Sequence, residues 1–221
     1  MTFAKSERAQ LCDLLLVVGP DAPTLCEGWT SHDLAAHLWI RESDPLGAPG
    51  IMAKPLASLT ERRMNEAKAR WSYEELVGRI ASGPDRFSLF SLPGVDEPAN
   101  ATEYFVHHED VRRAGSAPQP PRPLDTEVED WMWRRMKLLG RAFFRSSPVG
   151  VVLERAEAAV ESAPGVETGE SARVAPGSET VTLIGRPSEL LLYAFGRREQ
   201  ADVRSVGEPD AVSALAGRGR S

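Results

Sequence analysis

The first 146 residues carry the spacing of apolar and polar positions that is typical of α-helices. Across residues 3–18, apolar side chains recur at i, i+3, i+4 and i+7 and form one stripe. Two further helices are predicted to begin at capping boxes, opened by Thr30 and Ser72, in which an acidic residue follows three positions later. Helices are also predicted at 56–69, from a cap at Asn100 to about 114, and from 125 or 126 onward. Four of these helices are substantial and have long connections, which suits a helical bundle.

The pattern changes after Pro148, where short apolar runs separated by glycines replace the helical spacing. The predicted elements are strands at 149–153, 180–184 and 202–206, with helices at 189–195 and 209–215. In the long helix that precedes this change, the apolar face is predicted to hold Trp131, Leu138, Leu139 and Phe143. The sequence therefore predicts an α+β protein, with a helical bundle over residues 1–146 and a small α/β C-terminal domain over 147–221.

Composition narrows the class of protein. Hydrophobic residues make up 42% of the chain and charged residues 26%, as in ordinary globular proteins. A net charge of −6 argues against a nucleic-acid-binding protein, which usually carries a basic face. The first residues lack the apolar core of a signal peptide, and no apolar run approaches the roughly 20 residues of a membrane span. A cytoplasmic location with no membrane partner is expected.

The two cysteines, Cys12 and Cys26, do not form a metal-binding or redox motif by their spacing. A disulfide between them is not expected in a reducing cytoplasm. Cys12 lies among leucines, so we expect it to be a small buried apolar residue.

The residue types with metal-binding chemistry are concentrated in one predicted helix. Glu103 and His107 stand four residues apart, so both side chains reach the same side of it. His37, in the helix that Thr30 opens, is the best candidate for a third ligand. Two histidines and one carboxylate leave an open position, as in catalytic zinc sites, and the set also suits Ni²⁺ or Fe²⁺. The alternative is that His37 is a core histidine and that the other two form a solvated pair.

Three other polar residues, His108, Asp110 and His32, lie outside this set of candidate ligands. His108 points about 100° away from His107 around the helix, which favours a surface, interface or supporting position. Asp110 is predicted to pair with Arg113, and the alternative is that it orients a ligand imidazole. His32, in a first helical turn, is expected to be solvated.

Arg197 and Arg198 follow the predicted helix of the C-terminal domain. They could bind an anionic substrate, or they could be two solvated basic residues at a helix end.

Two stretches resemble one known family. Residues 29–38, Trp-Thr-Ser-His-Asp-Leu-Ala-Ala-His-Leu, are similar to the second-helix signature of mycothiol-dependent maleylpyruvate isomerase N-terminal domains, in the DinB-like superfamily. Residues 103–113 are similar to the matching Glu-x-x-x-His-x-x-Asp-x-Arg signature. Their string Phe-Val-His-His-Glu-Asp-Val-Arg-Arg is that of an actinobacterial subfamily of metal-binding proteins. The resemblance covers roughly residues 1–146.

The resemblance implies a DinB-like four-helix bundle with a divalent ion, commonly zinc, bound by His37, Glu103 and His107. It also implies that mycothiol, a small thiol, approaches the ion. The expected function is then that of a mycothiol-dependent isomerase or thiol S-transferase, in which the bound zinc activates a thiol toward an electrophilic substrate. A non-catalytic metal- or thiol-binding module is the alternative. From the reference pKa of histidine, about 6.5, metal affinity is expected to be flat above neutral pH and to fall below about 6.

Overall fold

The structure, a computed structural model, describes residues 2–45, 47–48, 54–83, 96–115, 117, 119–160 and 168–217. The fold is mixed α+β: the described residues form eight α-helices and a four-stranded sheet. The chain divides into two compact units, Met1–Gln119 and Pro120–Ser221. No helix within the described ranges is long and apolar enough to cross a membrane.

The first unit is helical. Its α-helices are α1 (Phe3–Val18), α2 (Ser31–Ser43), α3 (Ala57–Arg70), α4 (Tyr73–Ala81) and α5 (Asp96–Arg112), and a 3₁₀ turn at Lys54–Leu56 precedes α3. Helix α1 packs on α4 and α5, and α2 packs on α3 and α4. The core between them holds fully buried apolar side chains, among them Leu11, Leu15, Leu34, Leu38 and Leu76. These leucines bring α1, α2 and α4 together, and α5 is held against α1.

Local sequence signals set the ends of these helices. Both predicted capping boxes are present. At the start of α2, the Asp33 N–H donates to Thr30 Oγ1 and the Thr30 N–H donates to Oδ2 of Asp33. Helix α5 begins at Asp96, before the predicted cap at Asn100, so that prediction is wrong. Asn100 is instead a fully buried residue inside α5, where its side-chain oxygen accepts a hydrogen bond from Arg41 of α2. This bond ties the two helices that carry the candidate metal ligands.

The second unit contains the sheet. Its elements are α6 (Thr126–Phe143), β1 (Gly150–Ala156), β2 (Thr168–Ala175), β3 (Thr180–Gly185), α7 (Pro187–Ala194), β4 (Val203–Val206) and α8 (Pro209–Ala216). The strand order is β2-β1-β3-β4, with β1 and β3 parallel and the two outer pairs antiparallel. Helix α7 connects β3 to the edge strand β4. The strands and helices predicted after Pro148 are present. Strand β2 was not among the predicted strands.

Helix α6 belongs to the second unit, where it packs on α7 and β2. The chain was predicted to divide after residue 146, whereas the compact units divide before this helix. The predicted domain boundary itself stays a prediction. The predicted apolar face of α6 is wrong, because Leu138 is 76% exposed. The buried face holds Met132, Trp133, Met136 and Gly140.

Candidate metal centre

The three predicted ligands lie together between α2 and α5. Nε2 of His37 and Nε2 of His107 each lie 3.2 Å from Oε1 of Glu103. The two imidazole rings meet edge to face, with their centroids 5.2 Å apart. His37 is 7% and His107 8% exposed, and the Glu103 side chain is 21% exposed. The structure thus brings the three side chains to one point, although their assignment as ligands stays a prediction.

The distances suit a small divalent ion. Nitrogen and oxygen ligands lie about 2.0–2.2 Å from zinc, so neighbouring donors at tetrahedral angles are about 3.3–3.5 Å apart. Both measured nitrogen–oxygen distances, 3.2 Å, come close to this value. The donor set of two imidazoles and one carboxylate is also chemically suited to zinc. Arg41 Nε lies 3.4 Å from Oε1 of Glu103 and places one positive charge beside this carboxylate.

A carboxylate supports His107 from the side opposite to Glu103. Oδ2 of the fully buried Asp110 lies 2.9 Å from Nδ1 of His107. With the proton on Nδ1, this bond directs the Nε2 lone pair toward Glu103 and His37, as outer carboxylates do for zinc-bound histidines. Arg113, the partner predicted for Asp110, donates its Nε hydrogen to Glu109 at 2.5 Å. The geometry supports the orienting role of Asp110.

Cys26 is a residue of this centre that the sequence prediction missed. It lies in the α1–α2 loop, and its Sγ is 3.2 Å from Oδ2 of Asp110 and 3.9 Å from Nδ1 of His107. The backbone N–H of Leu25 donates to the carbonyl of Asp110 at 3.1 Å and fixes the loop there. Residues 26 and 107 are distant in sequence and share no periodic pattern, so only the tertiary structure brings them together.

The pKa values of the centre are displaced in opposite directions. Burial, together with the nearby charges of His107 and Arg41, lowers the pKa of His37. Burial alone would also lower the pKa of His107, but hydrogen bonds with Asp110, Cys26 and Glu103 raise it well above its usual value. Burial opposes the ionised form of Glu103, yet hydrogen bonds from both histidines hold its pKa well below the usual range.

Without an ion, the raised pKa of His107 favours a proton on this ring, between two carboxylates, and the lowered pKa of His37 favours its neutral form. This proton must leave before an ion can bind Nε2 of His107. The flat affinity above neutral pH that the reference pKa predicts stays a prediction, and the raised pKa of His107 predicts instead that proton competition begins above the ordinary pKa of histidine.

A cavity of about 480 Å³ lies beside the centre on the His37 side. Trp29 forms part of its wall and packs against His37, with ring centroids 5.0 Å apart. Thr60, Glu61, Met64 and Asn65 of α3 also line it. A small molecule in this cavity would have direct access to the His37 side of the centre.

The other histidines take structural places. Of the surface, interface or supporting positions expected for His108, the surface is excluded: His108 is 5% exposed, and its Nδ1 lies 3.0 Å from Oε2 of the buried Glu7 on α1. His32 is half-buried rather than solvated, and its ring lies edge-on to Tyr73 at 5.5 Å. Cys12 is buried as predicted, and burial raises the pKa of its thiol to about 12.

The two arginines of the second unit bind backbone carbonyls. Arg197 Nη1 donates to the carbonyl of Phe195 at 2.6 Å, and Arg198 Nη1 donates to that of Leu215, near the end of α8, at 2.7 Å. These bonds satisfy carbonyls near helix ends. Both side chains therefore have partners within the protein, which do not favour anion binding over the alternative of two basic residues at a helix end.

Comparison with known proteins found no match to this chain among family models, curated proteins or solved structures. The resemblance of the two helical motifs to the mycothiol-dependent isomerase family stays a prediction.

Proposed function

We propose that the protein binds a divalent metal ion, zinc in the first instance, through His37, Glu103 and His107. The observation that carries this proposal is the convergence of two Nε2 atoms on one carboxylate oxygen, at 3.2 Å each, in a largely buried position. Ni²⁺ and Fe²⁺ fit the same donors. Buried charged groups are usually paired or bind an ion, and the distances among these side chains suit either state.

The arrangement favours an ion that keeps one position for an outside ligand, because three protein donors leave a tetrahedral ion incomplete. A bound zinc ion would supply Lewis acidity, which keeps a thiol ionised near neutral pH. The protein's own contribution is orientation. Asp110 holds the tautomer of His107, Arg41 lies beside Glu103, and Trp29 packs against His37.

We infer from the motif resemblance that the outside ligand is a small thiol such as mycothiol, and that its partner is an electrophilic small molecule. The cavity beside His37 has room for such a ligand. The protein would then be a mycothiol-dependent isomerase or thiol S-transferase, with its first unit forming a DinB-like four-helix bundle. The second candidate is a metal- or thiol-binding module without turnover, which the same geometry would serve.

Metal content tests the ligand set. Elemental analysis of the purified protein is expected to find one equivalent of zinc, and His107→Ala is expected to lose most of it. His32→Ala is the matched control, since His32 lies outside the centre, against Tyr73. Retention of one equivalent by the folded His107→Ala protein would refute the proposed site.

Turnover separates the enzyme from the binding module. We expect zinc-loaded protein to accelerate the conjugation of mycothiol with a chromogenic electrophile, and His37→Ala to lose this rate. Binding of mycothiol to zinc-loaded protein without acceleration of any electrophile in a broad panel would favour the module.

A further inference from the structure

The imidazole of His107 faces two different sets of possible metal ligands. Its Nε2 faces Glu103 and His37, the set of the proposed function. Its Nδ1 faces Asp110 and Cys26, which form a second group with donor atoms within 4.8 Å of one another. The second set differs in chemistry, because a thiolate is a soft ligand and selects soft ions.

The second set is nearly arranged for coordination. The sulfur, nitrogen and oxygen donors are separated by 3.9 Å (Sγ to Nδ1), 3.2 Å (Sγ to Oδ2) and 2.9 Å (Nδ1 to Oδ2). Around a tetrahedral ion with metal–sulfur bonds of about 2.3 Å and metal–nitrogen bonds of about 2.0 Å, such donors are about 3.3–3.6 Å apart. Each pair therefore needs to change by only about half an ångström or less.

The loop that carries Cys26 is anchored on the same helix as the other two donors. The Leu25 N–H donates to the Asp110 carbonyl, and the Thr24 hydroxyl donates to the carbonyl of Trp29 at 3.0 Å. Cys26 itself is half-buried, whereas Asp110 is fully buried, so an ion would reach the set from the Cys26 side.

One neutral imidazole binds one ion through one nitrogen. When an ion occupies Nδ1, the ring proton moves to Nε2, which then donates to Oε1 of Glu103 at 3.2 Å. When an ion occupies Nε2, the proton is on Nδ1 and is donated to Asp110. In either state, the ring nitrogen that does not bind the ion donates its proton to a carboxylate. Both states are therefore fully hydrogen-bonded, and occupation of one nitrogen excludes an ion from the other.

We propose that Cys26, Asp110 and Nδ1 of His107 form a second metal site, which favours thiophilic ions such as Cd²⁺ or Cu⁺ over hard ions and whose occupation displaces the ion held by His37, Glu103 and Nε2 of His107. Displacement of an ion from Nε2 releases the proton of the Cys26 thiol to solvent, and binding to the metal-free centre also releases the second ring proton of His107; neither involves a redox change. A soft ion such as Cd²⁺ would thus release the ion bound by His37, Glu103 and Nε2 of His107.

Cadmium is the probe, because a cadmium–thiolate bond gives a charge-transfer absorption in the ultraviolet. Titration of the full-length, metal-free protein is expected to develop this band up to one equivalent of Cd²⁺. Cys26→Ser keeps a hydroxyl donor for Asp110 and is expected to abolish the band. Cys12→Ser is the matched control and is expected to keep it, since Cys12 is buried in the core between α1 and its neighbours.

Displacement tests the exclusivity. Adding Cd²⁺ to zinc-loaded protein is expected to release zinc one for one into a chromogenic chelator, and Cys26→Ser is expected to lower this release sharply. A band that survives in Cys26→Ser, or zinc that stays bound while the band develops, would overturn the proposal. His37→Ala separates the two sites: it is expected to lose zinc and keep the cadmium band. Zinc retention in this variant would count against the proposed function alone, since the cadmium result does not depend on His37.

Discussion

Asp110→Asn is the substitution that best tests how the centre is built. Asparagine has the shape of aspartate, so the packing of this fully buried position is preserved. The negative charge behind Nδ1 of His107 is lost, and with it the preference for the tautomer that presents Nε2 to an ion. We expect weaker zinc binding in a protein that still folds.

The size of the effect follows from the 2.9 Å bond between Asp110 and His107. A hydrogen bond to a charged group contributes about 1.5–3 kcal/mol, and each 1.4 kcal/mol is a factor of ten in affinity. Removing the carboxylate behind a metal-bound histidine typically costs about 10- to 100-fold in metal affinity. We therefore expect zinc affinity to fall by about 10- to 100-fold, or about 1.4–2.8 kcal/mol, at alkaline pH.

The same substitution should make zinc binding less sensitive to acid. Asp110 is the strongest of the hydrogen-bond partners that raise the pKa of His107, so its removal lowers that pKa. A lower pKa weakens the competition of protons with the ion. The gap in affinity between wild type and Asp110→Asn should consequently be widest above the raised pKa of His107 and should narrow as pH falls toward 6.

Competition with a chromogenic chelator at several pH values between 6 and 8.5 measures both effects. Asp44→Asn is the matched control, because Asp44 is another buried carboxylate of the first unit, bonded to Arg63 at 2.6 Å outside the centre. It should lower stability and leave zinc affinity unchanged. The orienting role would be refuted by an Asp110→Asn affinity within threefold of wild type, or by a gap that widens toward acid.

Three further predictions concern the rest of the chain. In wild type, we expect zinc affinity, measured by chelator competition, to fall as the pH is lowered. The fall should start before pH 6.5 is reached, because the pKa of His107 is raised, and its slope should be near one proton per ion. Thr30→Ala removes the side chain that caps α2 and should cost about 0.5–2 kcal/mol of unfolding free energy in urea denaturation. Gly140→Ala would place a Cβ 2.5 Å from Cγ1 of Val174, so a loss of about 1–3 kcal/mol is expected, whereas a gain in thermal stability would contradict the packing of α6 on β2.

The parts of the fold that the sequence predicted depend on local chemistry. The capping boxes at Thr30 and Ser72 fix two helix starts through contacts within four residues, and both were predicted correctly. Pro187 at the first turn of α7 is a signal of the same kind. By contrast, Asn100 has the side chain of a helix cap but is bonded to Arg41 of another helix. The position of Asn100 is determined by this tertiary contact, which the local sequence signals of helix caps cannot predict.

The face of α6 shows a similar limit. Trp131 and Leu138 are as apolar as the residues that are buried, so hydrophobic spacing alone does not select between the two sides of this helix. The buried face includes Gly140, where a Cβ would lie 2.5 Å from Cγ1 of Val174 of β2, so this side of α6 approaches the strand closely. Glycine does not count as an apolar position, so the apolar spacing of α6 gave no weight to the side that holds Gly140 and predicted the wrong face.

In the candidate centre, one neighbour of the His107 ring could be predicted from local sequence, whereas another depends on the tertiary structure. The spacing of Glu103 and His107 predicted that this carboxylate faces Nε2, because both residues lie on one helix. What faces Nδ1 includes Cys26, which is brought there by the α1–α2 loop. A pH titration of metal affinity cannot by itself distinguish cysteine from histidine ligation, since the raised pKa of His107 also brings proton release toward the alkaline range. The effect of Cys26→Ser on that titration can, because a thiolate ligand would be lost with the sulfur, whereas the proton on His107 depends chiefly on Asp110.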